Sequence, residues 1–305
     1  MVSRAEITRT GTSALGKDSR SRQQLELLLG CDSAGKTVVQ NRYMAYPLSV
    51  SPLFRRESNG VELEREQRAY LYRMNTSPGL LAGDVLGMSV KLSTGSSLYL
   101  MDQAATKVHQ MPEGAIATVD YEIVVDDWAT LEFLPEPLIL FTDSTLKQTT
   151  RITLYPHAGL SWGEIILPGR LARGEYYRFR ECFSRIKIES PNGILFFVEA
   201  MKLMGKDNCF SQSDLFVSNP VLGTLFLILP TDSATAENIA VLSRRIEALS
   251  LKEASVELAG SVLPGKRGIF VRAIASTTRD LQSCFRSAVN CVRELRQQYP
   301  LPYSL

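Results

Sequence analysis

The sequence predicts a mainly β fold of the α+β class, a large antiparallel β architecture with two α-helices near the C-terminus. Three observations predict it. Short alternating apolar segments dominate from Leu25 to about Phe270, turn signals punctuate them, and the two stretches with helical periodicity come late. Many short strands so closely spaced argue against alternating βαβ units.

The first 24 residues, MVSRAEITRTGTSALGKDSRSRQQ, are rich in Ser, Thr, Gly and Arg and read as a flexible segment; residues 25–305 read as one domain. Residues 25–29 are apolar and residues 37–46 are β-branched and aromatic, which gives a hairpin joined through residues 31–35. Further strands are expected at 68–74, 85–92, 97–101, 121–125, 138–141, 148–154 and 194–199. Alternation is clearest in MSVKLS, where Met88, Val90 and Leu92 share one face. Turn signals fall at Ser58-Asn59-Gly60, Thr94-Gly95-Ser96, Pro112-Glu113-Gly114, Pro191-Asn192-Gly193 and Pro264-Gly265-Lys266.

Residues 236–249 place Ile239, Leu242, Ile246 and Leu249 on one helical face, with Ser233 or Thr235 as the cap. Residues 278–299 carry a stripe through Leu281, Phe285, Ala288, Val289, Val292, Leu295 and Tyr299. Thr277 and Asp280 form a capping pair and Pro300 stops the run. The opposite face, with Arg279, Arg286, Arg293 and Arg296, reads as a solvated surface or, alternatively, a partner surface.

Composition narrows the function. The chain has 305 residues, 45% hydrophobic and 22% charged, with a net charge of +2, so no electrostatic drive toward nucleic acid or an anionic membrane is evident. The N-terminus lacks the apolar core of a signal peptide, and the longest apolar run, 221–229, is far short of a membrane span. A cytoplasmic location is expected. The five cysteines are scattered and never in C-x-x-C spacing, which suits neither a disulfide framework nor a zinc site.

Residues 30–37, Gly30 through Lys36 and Thr37, match the G-x-x-x-x-G-K-[ST] phosphate-binding pattern. A working loop of that kind must enter a helix, whose N-terminus helps to hold the phosphates. Here a β-rich stretch ending in Pro47 follows, and the nearest magnesium-binding candidate, Asp126, lies among strands. Nucleotide binding is a rival reading. The two histidines, His109 and His157, form no H-E-x-x-H motif, and no G-x-S-x-G elbow occurs. The acid pairs Asp126–Asp127 and Glu132–Glu136 read as surface charge. Metallohydrolase and serine-hydrolase readings therefore lack their minimum parts.

Three ordered blocks carry the remaining information. Residues 77–109 contain a glycine-rich turn with an acid (Pro78, Gly79, Gly83, Asp84), two strands, and a small-residue run closed by Lys107. Residues 132–141 join two strands through a proline-broken corner. Residues 163–175 hold Glu164, the Gly169-Arg170 corner and Gly174-Glu175. Gly-Asp and Gly-Arg corners often hold an ion pair or a side chain bonded to the turn backbone. The ordered set resembles the UreD/UreH-type urease accessory proteins, with their PGG-x-x-x-GD, L-P-x-E/P-x-I-x-F and GR-x-x-x-GE segments. It departs from them at Leu80, at Glu136-Pro137 and at His109.

The resemblance implies a mainly β, non-catalytic scaffold that binds apo-urease subunits, joins UreF-type and GTP-hydrolysing UreG-type partners, and supports nickel insertion. It implies no tightly bound cofactor, only transient nickel, and a tunnel as the nickel route. Asp84, Glu164 and Glu175 are the acids assigned to that passage; Gly79, Gly83, Lys107 and Arg170 are structural or partner positions. The second rival is a β-rich scaffold serving some other assembly.

Overall fold

In the computed structural model, residues 23–55, 67–206, 208–252 and 255–302 are described; the turn expected at Ser58-Asn59-Gly60 and residues 1–22 of the segment expected to be flexible lie outside them. Leu25–Cys31 (β1) and Thr37–Met44 (β2) form the expected hairpin. Leu48–Val50 (β3), Ala69–Asn75 (β4), Val85–Leu92 (β5), Ser97–Gln103 (β6) and Thr106–Val108 (β7) follow. Then come Ala117–Val125 (β8), Thr130–Leu134 (β9), Leu138–Leu140 (β10), Thr145–Leu154 (β11), Gly159–Leu167 (β12), Glu181–Glu189 (β13) and Leu195–Met204 (β14). The C-terminal third holds Asp214–Ser218 (α1), Val221–Ile228 (β15), Ala236–Lys252 (α2), Val256–Val262 (β16), Gly268–Ala275 (β17) and Thr278–Leu295 (α3).

The strands form two sheets. One runs β14-β13-β11-β8-β5-β1-β2; the other runs β16-β17-β15-β12-β9-β6-β4-β3, with β10 and β7 attached beside β12. The expectation of an antiparallel architecture is corrected: the sheets are mixed. β1, β5, β8, β11 and β13 are parallel neighbours, as are β4, β6, β9 and β12. The reason is in the corners. From β4 to β13 the main strands alternate between sheets, so a tight turn carries the chain across the core instead of back along its own partner. Each strand then lies beside the next but one, in the same direction, as in a two-faced solenoid. The sheets end in antiparallel pairs, β1–β2 and β13–β14 in one, β3–β4 and β15, β17 and β16 in the other.

Alternation fixes which residues face inward. β8 alternates buried and half-buried positions along its whole length, and Val119, Ile123 and Val125 meet Leu98, Leu131 and Phe133 of the facing sheet within one core. A second core lies on the other side of β15 and β17, where Leu225 and Val271 pack with Leu242 and Ile246 of α2 and Phe285 and Val289 of α3. Covered on both faces, β15 is buried at every position.

The helices depart from expectation in detail. α2 runs three residues further than 249, and α3 ends at Leu295, not 299, because Arg296 leaves helical geometry. The short α1 was not foreseen. Thr277 caps α3, its Oγ1 accepting from the Asp280 amide at 3.2 Å, and Thr235 caps α2 by accepting from Asn238. The basic face of α3 is not wholly solvated: Arg293 is 1% exposed and bound to Glu132, which is itself buried and not surface charge. Among the described residues, no helix is long and apolar enough to cross a membrane.

Candidate functional site

A cavity with a largely apolar wall and several inward polar side chains lies between the sheets, with about 50 Å3 open to water-sized occupants, room for a small number of waters. Its lining extends from buried Trp162 and Cys182 to exposed Gln103 and Ala104. β12 supplies Glu164, whose carboxylate accepts from Gln148 Nε2 of β11 at 2.8 Å and from Ser184 Oγ of β13 at 3.1 Å. Burial pushes the Glu164 carboxyl above its ordinary value, with the Ser184 and Gln148 hydrogen bonds and the nearby Arg272 opposing that shift. Glu164 is half-buried and lines the cavity.

Opposite, β4 and β6 supply a buried ion pair. Arg73 donates from Nε and Nη2 to Asp102 at 2.7 and 2.8 Å. Burial raises the Asp102 carboxyl and the Arg73 guanidinium opposes it; the same contact holds Arg73 protonated. The Arg73 guanidinium also lies 5.1 Å from the centre of the Tyr121 ring. Asp102, Pro135, Glu136 and Ile165 line both this cavity and a larger opening of about 360 Å3 beside Arg279 and Arg286 of α3. Two acids, Asp102 and Glu136, therefore stand where the interior space meets that opening.

Of the three acids assigned from the sequence, Glu164 alone lines the cavity. The Asp84 carboxylate accepts from the Leu81 amide at 2.7 Å and closes its own turn. Glu175 binds Arg170, which donates from Nε at 2.8 Å and from Nη2, and this contact holds the Glu175 carboxyl below its ordinary value. Gly83 turns the chain at φ +82 with its amide on the Ile116 carbonyl.

Through Arg170, Glu175 instead braces one wall of a second feature, a surface groove where the three sequence blocks meet. Gly79 has φ +145, and a Cβ there would sit 2.5 Å from the Lys107 carbonyl oxygen, so only glycine lets this turn lie against β7. The Leu80 amide donates to the Lys107 carbonyl at 2.7 Å and the His109 amide donates to the Leu80 carbonyl at 2.9 Å. Gly169, at φ +144, likewise lies where a Cβ would overlap the Glu175 carbonyl. The Arg170–Glu175 pair closes that corner and places the guanidinium 4.4 Å from the Phe141 ring centre.

Asp102, Arg73, Gln148 and Ser184 were missed from the sequence, although each sits at an inward position of an alternating strand. A polar residue in that register was the available signal. The phosphate-binding pattern does not make a phosphate cradle. Asp32 accepts from the Ala34 and Lys36 amides at 2.9 Å, closing the turn, and Thr37 begins β2 rather than a helix. Among the described residues, no group of three His, Cys, Asp or Glu side chains is gathered to hold a metal ion.

A family model described as UreD urease accessory protein matches residues 21–303. Similar proteins include the urease accessory protein UreD of Trichodesmium erythraeum strain IMS101, 43% identical over 93% of this chain and 99% of that protein. UreD of Actinobacillus pleuropneumoniae serotype 5b strain L20 is 30% identical over 86% of this chain and 94% of its own length. UreH of Helicobacter hepaticus is 32% identical over 53% of this chain and 61% of its own length.

Proposed function

Because the chain belongs to the UreD family of urease accessory proteins, we propose that it is a non-catalytic scaffold in urease maturation that binds apo-urease and UreF-type and UreG-type partners and supports nickel insertion in the cytoplasm. The observation that carries this reading is the family match over nearly the whole length. The interior cavity supports the nickel element of it. Nickel here is cargo, a borderline cation better matched by imidazole, so carboxylate oxygens would hold it only loosely. Glu164, held by donors from Gln148 and Ser184, offers a single carboxylate. So sparse a donor set suits passing contact rather than storage, and Asp102 and Glu136 continue the oxygen lining toward the α3 opening. Asp84 and Glu175 act in this reading as braces of their turns.

The test is urease activity and nickel content in cells carrying the matching urease and accessory genes, with and without this chain. Deletion that leaves urease made but nickel-poor, reversed by re-expression, is the expected result. Urease that is fully active and nickel-loaded without the chain would overturn the proposal.

A further inference from the structure

The groove made by the three sequence blocks has no role in the interior route. Ile139, Phe141, Leu167 and Val221 give it an apolar floor; Lys107, Arg170 and Arg173 stand around it, and Thr277 and Thr278 at the start of α3 close one end. It offers about 800 Å3, space for several side chains. Lys107 and Arg173 are exposed and make no ion pair among the described residues. Arg170 is shared with Glu175.

This chemistry selects its occupant. An apolar floor under unpaired cations rejects a basic or wholly polar segment, because burial would leave charges facing one another or polar groups unbonded. A flat apolar surface alone would not need the cations. We infer that the groove is a docking site for a partner-protein segment with aliphatic anchors flanked by carboxylates. The inference rests on the accessory reading and adds the surface and the chemistry of the partner. The glycine turns at Gly79 and Gly169 acquire a purpose under it: they fix Lys107 and Arg170 against the floor.

Two variants of the full chain test it against purified UreF-type, UreG-type and apo-urease proteins of the same operon. Lys107→Glu with Arg173→Glu is expected to weaken association with one of them by about tenfold or more, and to remove its salt sensitivity. Lys91→Glu, an exposed charge on the other sheet, is expected to leave it unchanged. A photo-crosslinking residue at exposed Ala172 is expected to capture a segment rich in Leu, Ile, Asp and Glu from that same partner. Unchanged affinity in the double variant, or capture of a basic segment, overturns the groove and leaves the accessory reading standing. Failure of the unaltered chain to bind any of the three overturns both.

Discussion

Arg293 in the last helix and Glu132 in β9 form a bidentate ion pair across 161 residues of sequence, with Nε 2.9 Å from Oε1 and Nη2 2.5 Å from Oε2. Both are 1% exposed, and Arg68 of the β4 region joins the same carboxylate at 3.1 Å. Arg293 also donates to the Tyr299 carbonyl at 2.9 Å. One carboxylate therefore anchors α3 and the chain beyond it to the middle of a sheet.

Glu132→Gln should be strongly destabilising, since it leaves two buried guanidinium groups with no counter-charge. Breaking one side of such a buried pair costs about 3–5 kcal/mol. Urea unfolding of the purified variant measures it. A loss under about 1 kcal/mol would mean that water reaches this site and the anchoring role is wrong.

Glu164→Gln should act in the opposite direction. Burial raises the folded-state carboxyl above its ordinary value of 4.5, so between the unfolded and folded values the folded chain binds more protons than the unfolded chain, and above that interval the ionised carboxylate is buried at a cost. Stability contributed by Glu164 is then present at low pH and declines as pH rises from the unfolded toward the folded value. The glutamine variant should melt higher than wild type at pH 7.5 and no higher at pH 4. An equal or lower melting temperature at pH 7.5 would sink this account.

Gly169→Ala should cost about 1–3 kcal/mol from backbone strain, with overlap against the Glu175 carbonyl adding to it. The corner should open and the Arg170–Glu175 pair should separate. Thermal unfolding and proteolysis near Arg173 report both; a variant as stable as wild type would show that the corner relaxes freely.

Lys36→Ala should leave stability within about 0.5 kcal/mol of wild type, as for most surface changes. It should also rescue urease in a deletion strain as well as the parent does. Saturable ATP or GTP binding lost on this substitution would revive the nucleotide reading.

Much of the fold was legible because side-chain period is a local property. MSVKLS and YEIVV announce strands, and the Thr277–Asp280 cap announces a helix, with no knowledge of neighbours. Strand direction was not legible, because alternation looks the same in a parallel and an antiparallel partner. The turns at Thr94-Gly95-Ser96 and Pro112-Glu113-Gly114 were read as punctuation, yet each carries the chain to the facing sheet instead of closing a hairpin. Arg293 was assigned to a solvated face for a related reason. Its partner, Glu132, is distant in sequence and itself looked like surface charge. The candidate site divides in the same way: Glu164 was picked out from its block, while Asp102 and Arg73 become meaningful only once β4 and β6 lie side by side.

The passage of main strands from one sheet to the other has a consequence for how the chain is made. No strand from β5 to β12 has its sheet neighbour adjacent in sequence, so an isolated pair of consecutive strands cannot close its ladder. Folding dominated by such separated pairings is slow, on the order of milliseconds to seconds or longer. During synthesis each emerging main strand from β8 to β13 finds its template in the one laid down two before it, so the first sheet would grow from the β1–β2 hairpin outward like courses of brick, its open edge moving strand by strand to β14.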